Sequence, residues 1–243
     1  MRSTGAIVQN HIITLDELLS HEPGKGYGRD RLLEITGGRT EITVREILGL
    51  NIPAMERLEI VFWPNVLSSE LSLLADCAFV EHVLPFWYAA YPGDDRIQRA
   101  IDIVRLYLKG EAGKEEIDRA HNHILSAYVI KPEPSLVDAD KAANGWSIAE
   151  GAGCVLQAAD ELTADYSPTT NYYISYCCFT AVQSDMIGKI LKRDGLNWFT
   201  ASSKKLSRVW DEAEASAQVE FEWQAETLGG MISELIIRED NKS

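Results

Sequence analysis

Asp76, Cys77, Glu81 and His82 stand inside one strongly apolar run, ADCAFVEHVLPFWYAAYPGDDRIQRAIDIVRLYLKG (75–110), and Asp94, Asp95 and Arg96 follow its Tyr91-Pro92-Gly93 break. Carboxylates and an imidazole on facing helices are the side chains that hold a metal ion inside a helical bundle. In that reading Asp76, Glu81, His82, Asp95 and Arg96 form a metal-dependent hydrolytic site. The paired Glu-x-x-His motif of such bundles is missing, as are H-E-x-x-H, a nucleophile motif and a dinucleotide fingerprint. The first expectation is therefore no catalytic residue, no metal and no cofactor, with the hydrolase kept as the alternative.

Each of these residues also has a structural reading. Asp95 stands where a helix begins after a tight corner, with Gln98 three residues on, so it is expected to cap that helix. Asp94 adds negative charge at the same N-terminus, where the helix dipole favours it. His82 lies one turn after Phe79 and one before Phe86, so a partly buried imidazole bonded to a neighbour is expected. His121 and His123, two residues apart, point to different faces of a helix and suit chelation poorly. Cys77, Cys154, Cys177 and Cys178 form no C-x-x-C pair and sit in apolar runs, so buried reduced thiols are expected.

The elements that must position these residues read as helices almost throughout. TLDE (14–17) and TVRE (43–46) are capping boxes, and Gly37, Gly38 and Gly49 mark helix ends. Between them HEPGKGYGRD (21–30) is a glycine-rich loop whose spacing does not match a phosphate-binding loop. LEIVFW (58–63) suits a strand, while Pro53 and Glu56 before it suit a helix start.

From Ser69 the chain is apolar nearly all round, as in a helix buried among helices, with a kink or restart expected at Pro85. Ile97, Ala100, Ile101, Val104 and Leu108 form the stripe of the next helix, which Gly110 closes, and another spans 115–129. A proline-punctuated linker (130–138) follows. The small residues around Trp146 then imply close helix packing, and a largely apolar helix covers 171–192. The last helix carries Leu206, Trp210, Ala213, Ala217, Phe221, Gln224, Leu228, Met231 and Leu235 at steps of three or four. Gln224 lies on that stripe and needs a hydrogen-bond partner. The fold class expected is an all-α bundle of roughly eight to ten helices. Residues 1–65 form a small N-terminal helical extension and 66–243 the main domain.

Composition narrows the function. The 243 residues carry 37 acids against 23 bases, a formal net charge of −14. That disfavours direct binding to a nucleic-acid backbone and suits a basic partner. No apolar run approaches the roughly 20 residues of a membrane span. The N-terminus does not read as a signal peptide, so the cytoplasm is the expected location. Glu214, Glu220, Glu222 and Glu226, with Asp211 and Glu212, form a candidate acidic contact surface on the last helix.

The segment LLADCAFVEHVLPFWYAAYPGDDRIQRAIDIVRLYLKGE (73–111) resembles the signature of the Imm-5-like immunity-protein family. The similar positions are Asp76, Cys77, Glu81 or His82, Leu84, Pro85, Tyr91, Pro92, Asp95, Arg96, Ala100, Ile101, Gly110 and Glu111. EFEWQAETL (220–228) is similar to the family's closing Glu-x-x-Trp-Gln helix, and ITVREILGLNIPAMERL (42–58) to a preface some members carry. Gly93 departs from the acid common there. The resemblance implies a helical, non-enzymatic protein that neutralises a bacterial toxin. In a phage setting it implies an inhibitor of a host defence nuclease complex, such as an anti-CRISPR. Asp76, Glu81, His82, Tyr91, Asp94, Asp95 and Arg96 are the motif residues it points to.

Overall fold

The computed structural model describes residues 12–20, 28–62, 66–128, 151–157, 159, 169–197 and 200–240. Residues 21–27 of the glycine-rich loop, the linker at 130–138 and the surroundings of Trp146 lie outside the described residues. What is described is all-α apart from one two-stranded sheet.

The N-terminal part repeats a strand–cap–helix unit. Strands β1 (Ile12–Thr14) and β2 (Glu41–Thr43) pair antiparallel, with Ile13 opposite Ile42 and both side chains buried. Each strand ends on a threonine that caps the following helix, α1 (Leu15–Ser20) or α3 (Val44–Leu48). Thr14 Oγ1 accepts from the Glu17 N–H at 3.2 Å while Glu17 Oε2 accepts from the Thr14 N–H at 2.7 Å. Thr43 and Glu46 repeat the exchange at 3.3 and 2.8 Å. Both capping boxes are therefore formed as the spacing implies. Helix α2 (Arg29–Ile35) lies between the two units and ends at Gly37 and Gly38, which adopt φ of 66° and 80°. Helix α4 (Ala54–Val61) takes in Leu58 to Val61 of the ambiguous LEIVFW segment, with Leu58, Ile60 and Val61 buried and Phe62 closing the helix; Trp63 lies outside the described residues.

The main part begins at α5 (Ser69–Ala90), whose Ser68 side chain accepts from the Leu71 N–H at 3.2 Å. The expected restart at Pro85 does not occur, because α5 runs through it unbroken. Pro85 sits on the exposed side of the helix while Val83, Leu84 and Trp87 around it are buried. Packing of those side chains holds the helix where the missing N–H would otherwise end it. Tyr91 closes α5, and Gly93 at φ 82° turns the chain into α6 (Arg96–Leu108). Gly110 at φ 75° leads into α7 (Lys114–Tyr128), which packs along α6.

Residues 151–157 form α8. A Cβ added at Gly151 would lie 3.4 Å from Cys177 Cβ and 3.5 Å from Val80 Cγ2, so α8 touches both α5 and the next helix. That contact is the close packing the small residues imply. Among the described residues the long helices α9 (Thr169–Arg193) and α10 (Ser203–Asp240) make the most extensive pairing, and α5 packs on α9.

One core runs through all of this, from Ile13, Ile42 and Leu58 through Phe79, Val80 and Trp87 to Phe179, Phe221 and Leu228. It spans both sides of the 65/66 boundary, since α3 and α4 pack on α10. A smaller cluster of Ile187, Ile190, Leu191, Val209 and Ala213 holds the far end of the α9–α10 hairpin.

Candidate functional site

The motif residues are distributed over three separate arrangements. The first is the α5–α6 corner. Asp94 accepts from the Arg96 backbone N–H at 3.1 Å and grips its guanidinium through Nε at 2.9 and 3.0 Å. Arg96 lies 5.9 Å from the centroid of the Trp87 ring, and Trp87 Nε1 donates to the Asp94 carbonyl at 2.8 Å. Tyr91 closes the cluster with its ring 4.5 Å from that of Trp87. The Arg96 hydrogen bond, against the opposing effect of burial, holds the Asp94 carboxyl below its ordinary range. Asp95 does not cap α6: its side chain makes no cap bond and pairs with Arg99 instead. Asp94 satisfies the first free N–H of the helix in its place, because the chain enters α6 with Asp95 in the bridge region, at φ −98° and ψ 11°, and not in the extended conformation of a capping residue.

The second arrangement joins α5 to α6. Glu81 takes both outer nitrogens of Arg105, at 2.9 and 2.6 Å, and Gln98 reaches it at 3.4 Å. The Arg105 bond lowers the Glu81 pKa. That carboxylate is a brace between two helices.

The third lies at the α5–α9–α10 seam and contains the main correction to the sequence reading. Glu220, expected in the acidic contact surface, is 2% exposed. Its Oε2 lies 3.2 Å from His82 Nδ1, and its Oε1 accepts from Gln224 Nε2 at 3.0 Å. Gln224 in turn donates to the Ser175 carbonyl at 3.3 Å and accepts from the Ser175 hydroxyl. Gln224 thus has the partner its place on the stripe demands. The His82 ring stacks on Trp223, centroids 3.6 Å apart, as the expected partly buried histidine. Burial raises the Glu220 pKa to about 7, against a lowering by Gln224, and burial lowers that of His82. Both shifts favour the uncharged forms. The helical period of α10 turns Glu220 inward with Ala213, Ala217 and Phe221; its charge type alone conceals this.

Asp76 stands apart from all three. Both its carboxyl oxygens are buried without a hydrogen-bond partner, and burial raises its pKa well above the usual range. Burial likewise pushes the Cys77 and Cys178 thiols up, and none of the four cysteines forms a disulfide. Among the described residues no three His, Cys, Asp or Glu side chains come together as metal ligands. The hydrolase constellation is not assembled: Glu81 faces Arg105, His82 faces Glu220, Asp95 faces Arg99, Arg96 faces Asp94, and Asp76 is enclosed without a partner.

The outward side of α10 remains. Asp211, Glu214, Ala215, Gln218, Val219, Glu222 and Glu226 are all exposed and fall on one side of the helix. Val219 is 65% exposed and Trp210, at the edge of this face, 45%. Glu222 pairs with Arg57 of α4, and Glu212 with Arg193 of α9 at 2.6 Å. Asp211, Glu214 and Glu226 have no basic partner among the described residues. Also among the described residues, no helix is long and apolar enough to cross a membrane. Comparison with protein-family models, with curated proteins and with solved structures finds no match to this chain.

Proposed function

We propose that this is a non-enzymatic cytoplasmic protein that binds and neutralises a basic protein partner through the outer face of α10. The observation that carries the reading is the combination on that face of uncompensated carboxylates, Asp211, Glu214 and Glu226, with exposed Trp210 and Val219. Carboxylates attract a basic surface from a distance, while an exposed tryptophan supplies buried contact area once the partner is seated. A net charge of −14 adds to the long-range attraction. The resemblance of 73–111 to Imm-5-like immunity proteins supports the same class. The partner is then a bacterial toxin or a nucleic-acid-binding defence complex whose basic groove α10 occupies. Nucleic acid itself is not the ligand.

The test compares wild type with an Asp211→Asn, Glu214→Gln, Glu226→Gln variant. A partner captured from host lysate by the wild type is identified, purified and measured by surface plasmon resonance at several salt concentrations. The variant is expected to associate at least about tenfold more slowly, and its rate to depend less on salt, because exposed charges are screened beyond ~10 Å at 0.1 M. Equal association rates with equal salt slopes overturn the proposal.

A further inference from the structure

Helices α6 and α7 enclose an open cleft of about 260 Å³ lined by Arg96, Arg99, Ala100, Ile103, Glu116, Arg119, Ala120 and His123. Three guanidiniums and an imidazole converge there in a chain of net charge −14, on elements that do not include α10. The spacing explains the convergence. Residues 96, 99, 100 and 103 on α6, and 116, 119, 120 and 123 on α7, both follow the i, i+3, i+4, i+7 pattern of one helix face. Ala100, Ile103 and Ala120 supply an apolar floor, and the long basic side chains form the walls.

We infer that this cleft binds a small phosphomonoester, the phosphate held between Arg99 and Arg119 and the carbon portion resting on Ala100, Ile103 and Ala120. Arg96 is fixed by Asp94 and is only 11% exposed, so it acts as a positive wall. Arg99 and Arg119 are different: they are 60% and 72% exposed and reach in from separate helices. A guanidinium has five N–H donors. Arg99 gives one to Asp95, and Arg119 gives two, to Glu116 at 2.5 Å and to the Glu115 carbonyl at 3.2 Å. Exposed ion pairs of this kind hold weakly, so the heads can turn to a ligand. Glu116 is kept in place by the Gly113 N–H at 2.9 Å. A tetrahedral phosphate presents oxygens to two guanidiniums at once, whereas one arginine fork already satisfies a planar carboxylate. The volume lies just below the range of drug-sized sites, about 300–1,000 Å³, and fits a phosphate with a short carbon skeleton.

The experiment titrates phenyl phosphate into the full chain, followed by amide NMR shifts and by calorimetry. Shifts are expected to centre on residues of α6 and α7. The Arg99→Gln, Arg119→Gln variant is expected to weaken binding by about tenfold or more. An Arg99→Lys, Arg119→Lys variant keeps charge but not the fork, and is expected to fall between the two. Because all four substitutions are at exposed positions, unchanged far-UV circular dichroism is the folding check. Should the glutamine variant unfold, the lysine variant carries the same test. No shifts at millimolar phenyl phosphate, or equal affinity in all three proteins, overturns the inference. Tighter binding of a single-stranded oligonucleotide, lost in the same variants, overturns it in favour of nucleic acid.

Discussion

Burial moves the proton affinities of Glu220 and His82 in opposite senses, and the two groups lie 3.2 Å apart. The folded-state pKa of Glu220 is raised from 4.5 to about 7. Its stabilising contribution is therefore full below pH 4.5 and is lost as pH rises through about 7, a change of about 3 kcal/mol. Asp76, raised as well, acts in the same sense. His82 is depressed below 6.5, so its contribution is present above that pH and is lost as pH falls through its folded value. Urea midpoints measured from pH 4 to 9 are expected to fall as pH rises from about 4.5 to about 7 and to level off above it. Glu220→Gln is expected to flatten that fall, because a neutral amide there no longer titrates; an unchanged slope between pH 5 and 7 would remove Glu220 as its source. At the corner, Asp94→Ala is expected to destabilise by about 1 kcal/mol through loss of the N–H acceptor and the Arg96 grip. Asp95→Ala, which removes only an exposed pair, is expected to stay within about 0.5 kcal/mol. Equal urea midpoints for the two variants would refute that division. Sequence alone marks both aspartates as helix-starting, but which of them meets the N–H depends on the φ and ψ of the turn.

Helix by helix, legibility follows the strength of the local signal. The capping boxes at Thr14 and Thr43 and the helix starts after Ser68 and Gly93 are readable because each is closed within four residues. Pro85 points to a restart that does not occur, because its penalty is local while the packing of Val83, Leu84 and Trp87 that offsets it is not. α8 is held by contact rather than by periodicity, and a Cβ added at Gly151 would already stand at van der Waals distance from Cys177 and Val80. Gly151→Val is expected to destabilise by about 1–3 kcal/mol through overpacking against Cys177 and Val80. A thermal midpoint equal to wild type would mean that α8 can shift outward. On α10 the outer face should behave oppositely. Trp210→Ala and Val219→Asp are expected to leave stability within about 0.5 kcal/mol and to reduce partner affinity, because these side chains contact solvent in the free protein. A large loss of stability would reassign that face to folding.

At the scale of the whole molecule, one core crosses from the capped N-terminal units to the long hairpin. Leu58 and Phe221, from opposite ends of the chain, are both fully enclosed and belong to it. Leu58→Ala and Phe221→Ala are each expected to lower stability by about 2–5 kcal/mol, with fluorescence and circular dichroism melting together in one transition. Two separated transitions would show the N-terminal part unfolding by itself. What the amino-acid order determined alone is the all-α class, most helix limits, the inward stripe of α10 from Ala213 to Leu228 and the surplus of acid, since each is a property of composition or of a short-range period; Trp210, expected on that stripe, is exposed, and Val209 is buried beside it. Tertiary structure decided the rest. It placed Glu220 against His82, gave Glu81 to Arg105, and left Asp76 enclosed without a partner. It also brought Arg99 and Arg119 to one cleft. These outcomes depend on which helix packs against which, and a carboxylate's charge at a given position is the same whether a neighbouring helix covers it or water does.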